Sequence, residues 1–159
     1  MTSLPTIGFI GLGEMGGPMA RNLIQAGYDV VGFDLEPERL DSVTSAGATA
    51  GLSVADVVNR CQVVATSLPS SSSFVAVAEE DVLPVARAGQ IMIDFGTVSP
   101  PETRRLAALF AKEDATLLDV PVSGGAIGAQ WAALLVFAGG DEATVERCRP
   151  ILEAGGGPA

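Results

Sequence analysis

The chain alternates short runs of apolar residues with longer segments in which apolar residues recur every three or four positions. Runs of the first kind predict β-strands, and segments of the second kind predict amphipathic helices. The predicted strands cover residues 6–10, 29–33, 63–67, 91–94, 116–120 and 134–138. The predicted helices cover residues 15–26, 37–46, 53–60, 101–112 and 142–152. Strands and helices that alternate in this way favour a mostly parallel sheet with helices on both faces.

Turn-forming residues mark where these elements begin and end. Pro37 opens the second predicted helix, where proline suits the first turn, and Ser53 is a candidate N-cap of the third. Gly27 and Gly47 follow the first and second helices, as is typical of helix stops. The runs at 63–67 and 134–138 are almost continuously apolar, which predicts strands buried on both faces.

A chain of 159 residues has the length of a single domain. We expect this domain to cover residues 1–153. Residues 154–159 include three consecutive glycines and are expected to form a flexible tail or the start of an interdomain connection, outside the core.

The charge balance limits the classes of partner. Nineteen acidic residues face nine basic ones, for a net charge of −10, which argues against nucleic acid and anionic membranes as partners. The chain has no histidine, so a histidine base, a histidine metal ligand and a Ser–His–Asp triad are excluded. The longest apolar run covers residues 131–138, well short of the roughly 20 residues that a membrane span needs.

The two cysteines, Cys61 and Cys148, lie far apart in the sequence and form no metal-ligand pattern, so no metal site is predicted. Such cysteine usage suggests no disulfide framework and favours a reducing compartment. The first basic residue is Arg21, so no positively charged segment precedes an apolar one and we expect no secretory signal peptide. We therefore expect a cytoplasmic protein.

A Gly-x-Gly-x-x-Gly pattern at residues 11–16 follows the first predicted strand and opens the first helix. Gly11 would permit the tight turn, Gly13 would let the backbone approach a pyrophosphate, and Gly16 would let helix and strand pack closely. The acidic residue Asp34 ends the next strand, as the dinucleotide-binding fingerprint requires. The sequence therefore predicts a Rossmann-type, doubly wound α/β fold with three layers, α/β/α. The predicted loop contacts are Gly11, Leu12, Gly13, Glu14, Met15 and Gly16.

Asp34 also bears on which dinucleotide binds. A carboxylate there accepts hydrogen bonds from ribose hydroxyls and repels a 2′-phosphate, whereas NADP sites usually supply an arginine nearby. No basic residue follows until Arg39. We therefore expect NAD, with NADP as the less favoured alternative.

Two segments together resemble the 3-hydroxyisobutyrate dehydrogenase family, the β-hydroxyacid dehydrogenases. Residues 8–23 resemble the opening of that family, and residues 119–125, with Gly128 and Ala129, are similar to its substrate-binding segment. The motifs occur in the family's order, and the resemblance covers nearly the whole chain.

The resemblance implies further contacts with cofactor and substrate. Leu68, Pro69, Ser73 and Thr97 would lie beside the nucleotide, although Gly96 replaces the small hydroxyl residue that the family usually has. The substrate-binding residues would be Ser123, Gly124 and Gly125. Consecutive glycines can also turn their N–H groups toward one point, which suits a substrate carboxylate.

The sequence departs from the family after Ala129. Ala132 and Ala133 stand where a glycine and a threonine are common, and the bulky Trp131 precedes them. Trp131 is interpreted as a core or interface anchor. Without a covering domain, we expect apolar surface near residues 131–137 to be exposed and to favour self-association into a homo-oligomer.

The family's chemistry is hydride transfer between a nicotinamide and a small 3-hydroxy acid, or the reduction of the matching semialdehyde. The family takes its proton-transfer lysine from a C-terminal helical domain, which we expect to be absent from this chain. Lys112 precedes the substrate-binding motif that this lysine should follow, so we expect it to be an ordinary solvent-facing residue. No catalytic residue is predicted in this chain, and little turnover is expected from it alone.

Other readings remain open at this point. The parent enzyme could be an imine reductase or a relative of phosphogluconate dehydrogenase on a similar scaffold. The chain could also be a stand-alone dinucleotide-binding or regulatory module without catalysis. A degenerate interaction domain is a third reading, which the intact glycine motif and Asp34 disfavour.

Overall fold

The computed structural model of the protein describes residues 3–159. Within these residues the strands are β1 (Ile7–Ile10), β2 (Val30–Phe33), β3 (Thr49–Ala50), β4 (Val63–Thr66), β5 (Ile91–Asp94), β6 (Thr116–Asp119), β7 (Val122–Ser123) and β8 (Leu135–Val136). The α-helices are α1 (Gly16–Gln25), α2 (Pro37–Thr44), α3 (Val54–Arg60), α4 (Ser71–Val77), α5 (Pro100–Lys112), α6 (Gly125–Gln130) and α7 (Glu142–Gly155). A π-helical turn (Ala78–Val82) and a 3₁₀ turn (Leu83–Val85) follow α4.

Six strands form one parallel sheet in the order β3-β2-β1-β4-β5-β6. The chain runs outward from β1 in one direction as far as β3 and then returns to begin again at β4. This reversal between β1 and β4 opens a crevice at the carboxyl ends of the strands, where ligands bind in such sheets. The predicted doubly wound, Rossmann-type fold is confirmed.

The strands alternate their side chains between two hydrophobic cores. In β1, Ile7 and Phe9 pack with buried residues of α1 and α7, whereas Ile10 packs with those of α3, α4 and α5. Gly8 faces α3 so closely that a Cβ there would lie 2.6 Å from a methyl of Val57. Period-two alternation against helices on both sides gives the predicted three layers.

The predicted strand at residues 134–138 was wrong in extent and place. Residues Leu135–Val136 form a strand there, and it pairs antiparallel with β7 in a separate two-stranded sheet. Leu135 is 59% exposed and Phe137 is 57% exposed, while Leu134 and Val136 are buried, so the run is not buried on both faces. The sixth strand of the main sheet is β3 and not the predicted strand at 134–138. This short strand forms the edge of the sheet farthest from β6, and the sequence pattern did not predict it.

The serine run at residues 70–73 starts a helix. The Ser70 hydroxyl accepts a hydrogen bond from the Ser73 N–H at 3.1 Å and so caps α4. Phe74 then anchors this helix in the core shared with α3 and α5. A serine N-cap is a typical helix start, and here it competes successfully with the loop tendency of serine.

The C-terminal residues pack on the domain, contrary to the expected boundary at residue 153. Helix α7 continues through Gly155, and residues 155–157 are buried. The Leu134 N–H donates to the Gly156 carbonyl at 2.9 Å, and the Val136 N–H donates to the Pro158 carbonyl at 3.2 Å. A Cβ on Gly157 would lie 2.4 Å from the Leu134 carbonyl oxygen, so the close approach depends on glycine.

Cys61 and Cys148 are buried free thiols in opposite cores of the sheet. Burial raises the pKa of both thiols, that of Cys61 to about 11. Among residues 3–159, none of the helices is both long and apolar enough to cross a bilayer.

Candidate functional site

The first and third glycines of the loop between β1 and α1 are required by the fold itself. Gly11 has φ of +91°, and a Cβ there would lie 2.2 Å from the Ser67 carbonyl oxygen. A Cβ on Gly16 would lie 1.9 Å from the Gly11 carbonyl oxygen. Any side chain at either position would therefore push β1, β4 and α1 apart.

Gly13 differs from its two neighbours in the motif. The nearest protein atom to a Cβ built there is a terminal nitrogen of Arg39, at 3.5 Å. The packing of the chain therefore does not require glycine at this position. A side chain would instead occupy the crevice in front of the loop, where it would keep a ligand phosphate away from the backbone of the loop.

Asp34 joins the loop after β2 to the glycine loop. One carboxylate oxygen accepts from the Leu12 N–H at 2.8 Å, and the other accepts from the Glu36 N–H at 2.8 Å. Each oxygen keeps a further lone pair for another donor. The carboxylate is therefore held in place by the backbone on two sides before any ligand is present.

These elements surround a cleft of about 650 Å³ at the carboxyl ends of the strands. This volume is within the range of small-molecule and cofactor sites. Its lining includes eight of the predicted cofactor contacts, namely Gly11, Gly13, Glu14, Met15, Gly16, Asp34, Leu68 and Pro69. Leu12 lies beneath them, since its side chain is buried and its N–H is bonded to Asp34.

Two predicted cofactor contacts, Ser73 and Thr97, do not line this cleft. Ser73 is in the first turn of α4, where its hydroxyl lies 2.7 Å from that of Ser70. Thr97 is exposed in the loop after β5. The structure therefore places Ser73 in a helix cap and Thr97 at the neighbouring strand end.

Several residues of the cleft were missed by sequence reasoning. Phe33 and Ser67 stand at strand ends beside predicted contacts, so the carboxyl-end rule could have found them. Val54, Val77 and Asp81 come from α3, α4 and the π-helical turn, where nothing in the sequence pattern distinguishes them. The remaining such residues are Ile10, Leu35, Glu36 and Arg39.

A buried carboxyl group, Asp94, lies at the end of β5 next to the crevice. One oxygen accepts from the Thr66 hydroxyl at 2.8 Å and from the Gly96 N–H at 3.2 Å. The other has no hydrogen-bond partner among the described residues. Burial, with a smaller contribution from the nearby Asp119 carboxylate, raises the pKa of Asp94 to about 6.

The predicted substrate segment is exposed at the junction of β7 and α6, outside the walls of the cleft. Ser123 pairs with Leu135 across the small sheet. Gly124 and Gly125 both have positive φ, +142° and +65°, which glycine adopts without strain. This segment follows β6, on the side of the sheet opposite Asp34.

The surface beside this segment is apolar. Trp131 is 78% exposed and Ile127 is 73% exposed, which excludes a core role for Trp131. Ala132, which stands where the family commonly has glycine, has φ of +49°. That left-handed conformation costs an alanine about 1 kcal/mol or more.

Lys112 ends α5 and is exposed, as predicted. The helix begins after the carboxyl end of β5 and runs back to the amino end of β6. Lys112 therefore lies at the edge of the sheet opposite the cleft.

Comparisons with known proteins agree with this geometry. Residues 6–158 match the family model described as the NAD binding domain of 6-phosphogluconate dehydrogenase. The chain is 38% identical to an NAD-dependent L-serine dehydrogenase of Pseudomonas aeruginosa over 94% of its own length and 51% of the relative's. The chain spans about half the length of the curated relatives it matches, several of which are named 3-hydroxyisobutyrate dehydrogenase.

Two solved structures show the same fold. A 3-hydroxyisobutyrate dehydrogenase of Mycobacterium tuberculosis, solved with L-serine, has a TM-score of 0.91 and 40% identity, over 98% of this chain and 53% of that one. Psf3, solved with NADP⁺ and 2-OPP, has a TM-score of 0.89 and 27% identity, over 96% of this chain and 55% of that one. With its glycine loop and its fixed Asp34, the chain belongs to the family of the NAD binding domain of 6-phosphogluconate dehydrogenase, and it is similar to the N-terminal half of 3-hydroxyisobutyrate dehydrogenases.

Proposed function

We propose that this chain is the dinucleotide-binding domain of a hydroxyacid dehydrogenase of the 3-hydroxyisobutyrate dehydrogenase type, and that it binds NAD. The observation that carries the proposal is the open space beside Gly13, in the same cleft as the fixed Asp34 carboxylate. The N–H groups at the start of α1 suit a pyrophosphate, and the carboxylate suits ribose hydroxyls. No packing contact among residues 3–159 explains why Gly13 lacks a side chain.

The preference for NAD over NADP rests on the charge of the cleft wall. A 2′-phosphate bound at the adenosine ribose would come close to Asp34, and Glu36 and Asp81 line the same cleft. Arg39 could offset this repulsion, but its guanidinium already pairs with Glu36 at 3.2 Å. NADP therefore remains the less favoured alternative, and it would require Arg39 to exchange Glu36 for the phosphate.

We propose that different regions along the carboxyl edge of the sheet bind different parts of the dinucleotide and the substrate. When bound, the dinucleotide supplies the nicotinamide carbon that takes or gives the hydride. The glycine loop and Asp34 bind its adenosine side, and Ser123, Gly124 and Gly125 are proposed to hold the carboxylate of a small hydroxy acid or semialdehyde. Thr97 is proposed to lie toward the nicotinamide, since it follows β5, which is between these two regions.

We propose no catalytic residue in this chain and a cytoplasmic location. Lys112 is on the wrong edge of the sheet for proton transfer at the cleft. The buried free thiols Cys61 and Cys148 support a reducing compartment. The complete reaction would need a general acid or base from outside these residues, and such a group contributes on the order of 10²–10⁴ in rate.

Calorimetric titration of the chain with NAD and then with NADP tests the binding proposal. We expect NAD to bind at least about tenfold more tightly than NADP. Gly13→Val should weaken NAD binding by at least about tenfold while leaving the melting temperature nearly unchanged, because the valine fills the cleft and not the core. Absence of NAD binding, or a Gly13→Val variant that binds as the parent does, would contradict the proposal.

The catalytic part is tested by NADH production with 3-hydroxyisobutyrate and with L-serine. Since no proton-transfer group is proposed here, the chain alone should turn over at less than about one hundredth of the ~10 s⁻¹ that is typical of enzymes. A turnover number of that typical size would show that the chain carries its own acid or base.

A further inference from the structure

One part of the lining of the cleft is mostly apolar. Phe33 and Leu68 come from the ends of β2 and β4, and Val54 and Val77 come from α3 and α4. Asp81, on the π-helical turn after α4, adds a carboxylate to these walls. We name this part of the cleft, lined by Phe33, Val54, Leu68, Val77 and Asp81, the apolar compartment.

Its position identifies the part of a dinucleotide that would enter it. In the proposed function, the pyrophosphate lies at the glycine loop and one ribose lies at Asp34, on the β2 side of β1. Helix α3, which contributes Val54, packs against β1 and β2. The nicotinamide end points the other way, toward β5 and β6. The base attached to the ribose at Asp34, which is adenine, therefore meets the apolar compartment.

The compartment offers two things to a planar base. Aliphatic and aromatic side chains can cover its faces, and this favours purines in general. A carboxylate can accept a hydrogen bond from an amino group on its edge, and adenine has an amino group at C6 where hypoxanthine has a carbonyl oxygen. Asp81 is the residue of this compartment whose chemistry distinguishes those two bases.

Asp81 belongs to a run of three acidic residues, but it is the one of the three that lines the cleft. Of the three consecutive acidic residues Glu79, Glu80 and Asp81, the first pairs with Arg105 of α5 and the second does not line the cleft. The π-helical turn Ala78–Val82 buries Ala78 and Val82 in the core and leaves Asp81 on the cleft wall. A local widening of a helix is often found at functional sites.

We propose that Asp81 determines specificity for the adenine base by accepting a hydrogen bond from its C6 amino group. This inference rests on the proposed function, because it assumes that a dinucleotide lies in the cleft. It concerns recognition of the base and not the ribose contact at Asp34, and its test uses ligands without a 2′-phosphate, so the charge of Asp81 that bears on NADP does not enter.

The test compares NAD with nicotinamide hypoxanthine dinucleotide in calorimetric titrations of the same chain. We expect NAD to bind about tenfold more tightly, which is the effect of one hydrogen bond to a charged group. In Asp81→Ala this ratio should fall to about one. The ratio of the two affinities is the readout, because removing a negative charge from the cleft changes the electrostatic attraction of both ligands alike.

Glu80→Ala is the matched control, since it removes the same charge from the same turn without touching the cleft. It should keep the parent ratio of affinities. Hypoxanthine has an N1–H that could donate to Asp81 in place of the missing amino group. A dinucleotide of 1,N⁶-ethenoadenine controls for this, because its base has no N–H on that edge. The preference for NAD over this ligand should also shrink in Asp81→Ala.

The two proposals fail in different ways. If NAD binds but the parent chain does not discriminate between the bases, or if Asp81→Ala keeps the discrimination, then the role of Asp81 is overturned while dinucleotide binding stands. If NAD does not bind at all, the proposed function is overturned and the role of Asp81 with it. Matching melting temperatures of parent and variants verify that each variant is folded.

Discussion

The two ends of the carboxyl edge of the sheet differ in how firmly contacts within the protein hold them. At the β1–β2 end, Gly11 and Gly16 permit contacts that no other residue allows, and both oxygens of Asp34 are bonded to backbone N–H groups. At the β6–β8 end, strands β7 and β8 are each two residues long, Trp131 is exposed and Ala132 has a left-handed conformation. The first end is complete by itself, whereas the second presents apolar surface to solvent.

The two halves of the site therefore depend to different degrees on contacts within the described residues. The half that is proposed to bind adenosine is held by contacts within residues 3–159, so we expect it to fold and bind without help. The segment around Ser123 has no comparable set of contacts, and its apolar neighbours have no partner within the same residues. Substitutions at the two ends should therefore have different consequences.

The largest expected effect separates two glycines of the same motif. Gly16→Ala should lower the free energy of unfolding by about 3 kcal/mol or more, because its methyl group would overlap the Gly11 carbonyl. Gly13→Ala should change it by less than about 1 kcal/mol, since nothing lies within 3.5 Å of the new methyl group. Urea denaturation measures both, and equal losses would show that the motif is required by the fold throughout.

Asp94, between the two ends, should make stability depend on pH. Its folded pKa of about 6 is above its ordinary value of 3.8, so the native state holds a proton that the unfolded chain has released. This group therefore lowers the free energy of unfolding as pH rises from about 4 to about 6, by about 3 kcal/mol in total.

Asp94→Asn should remove that slope and stabilise the protein at pH 7.5 by about 1–3 kcal/mol, with little change near pH 4. Thr66→Val is a useful companion, because it removes a donor that lowers the pKa of Asp94. It should move the sensitive window to higher pH. Urea denaturation at several pH values checks both, and a slope that persists in Asp94→Asn would assign it to other groups.

The exposed apolar surface at the second end should promote self-association. Trp131→Gln removes the most exposed of its large side chains, so we expect the dissociation constant of any oligomer to rise by about tenfold. Sedimentation velocity over a range of concentrations measures this change. Leu52→Gln, a similarly exposed apolar residue beside α3, is the matched control and should leave association unchanged.

The smallest expected effect concerns the backbone at Ala132. Ala132→Gly should raise the free energy of unfolding by about 0.5–1 kcal/mol, because glycine relieves the left-handed conformation at some cost in entropy. Ala133→Gly, one residue further on, lacks that relief and should be neutral or destabilising. Destabilisation by both substitutions would show that residue 132 is not strained.

Much of the first end could be predicted from the sequence, because its signals are local. The glycine spacing, the acidic residue after β2 and the apolar runs of β1, β2, β4, β5 and β6 are all readable within short windows. The strand expected at 134–138 failed because an apolar run does not reveal which faces are covered, and Leu135 and Phe137 are exposed.

Other features depend on contacts between distant segments. Asp81 lines the cleft because a π-helical turn places it there. The three consecutive acidic residues do not predict that turn. The burial of residues 155–157 depends on hydrogen bonds from the N–H groups of Leu134 and Val136, each 22 residues before its partner in the chain. Glycines in a row suggest flexibility, but they also permit the close backbone approach seen here.

The bonds from Leu12 and Glu36 to Asp34 have a consequence for engineering. A single substitution at Asp34 intended to admit NADP would also release two loops from each other, so the gain from removing a negative charge would be offset by lost order. A successful exchange of cofactor preference would have to supply a new acceptor for both N–H groups together with a basic residue.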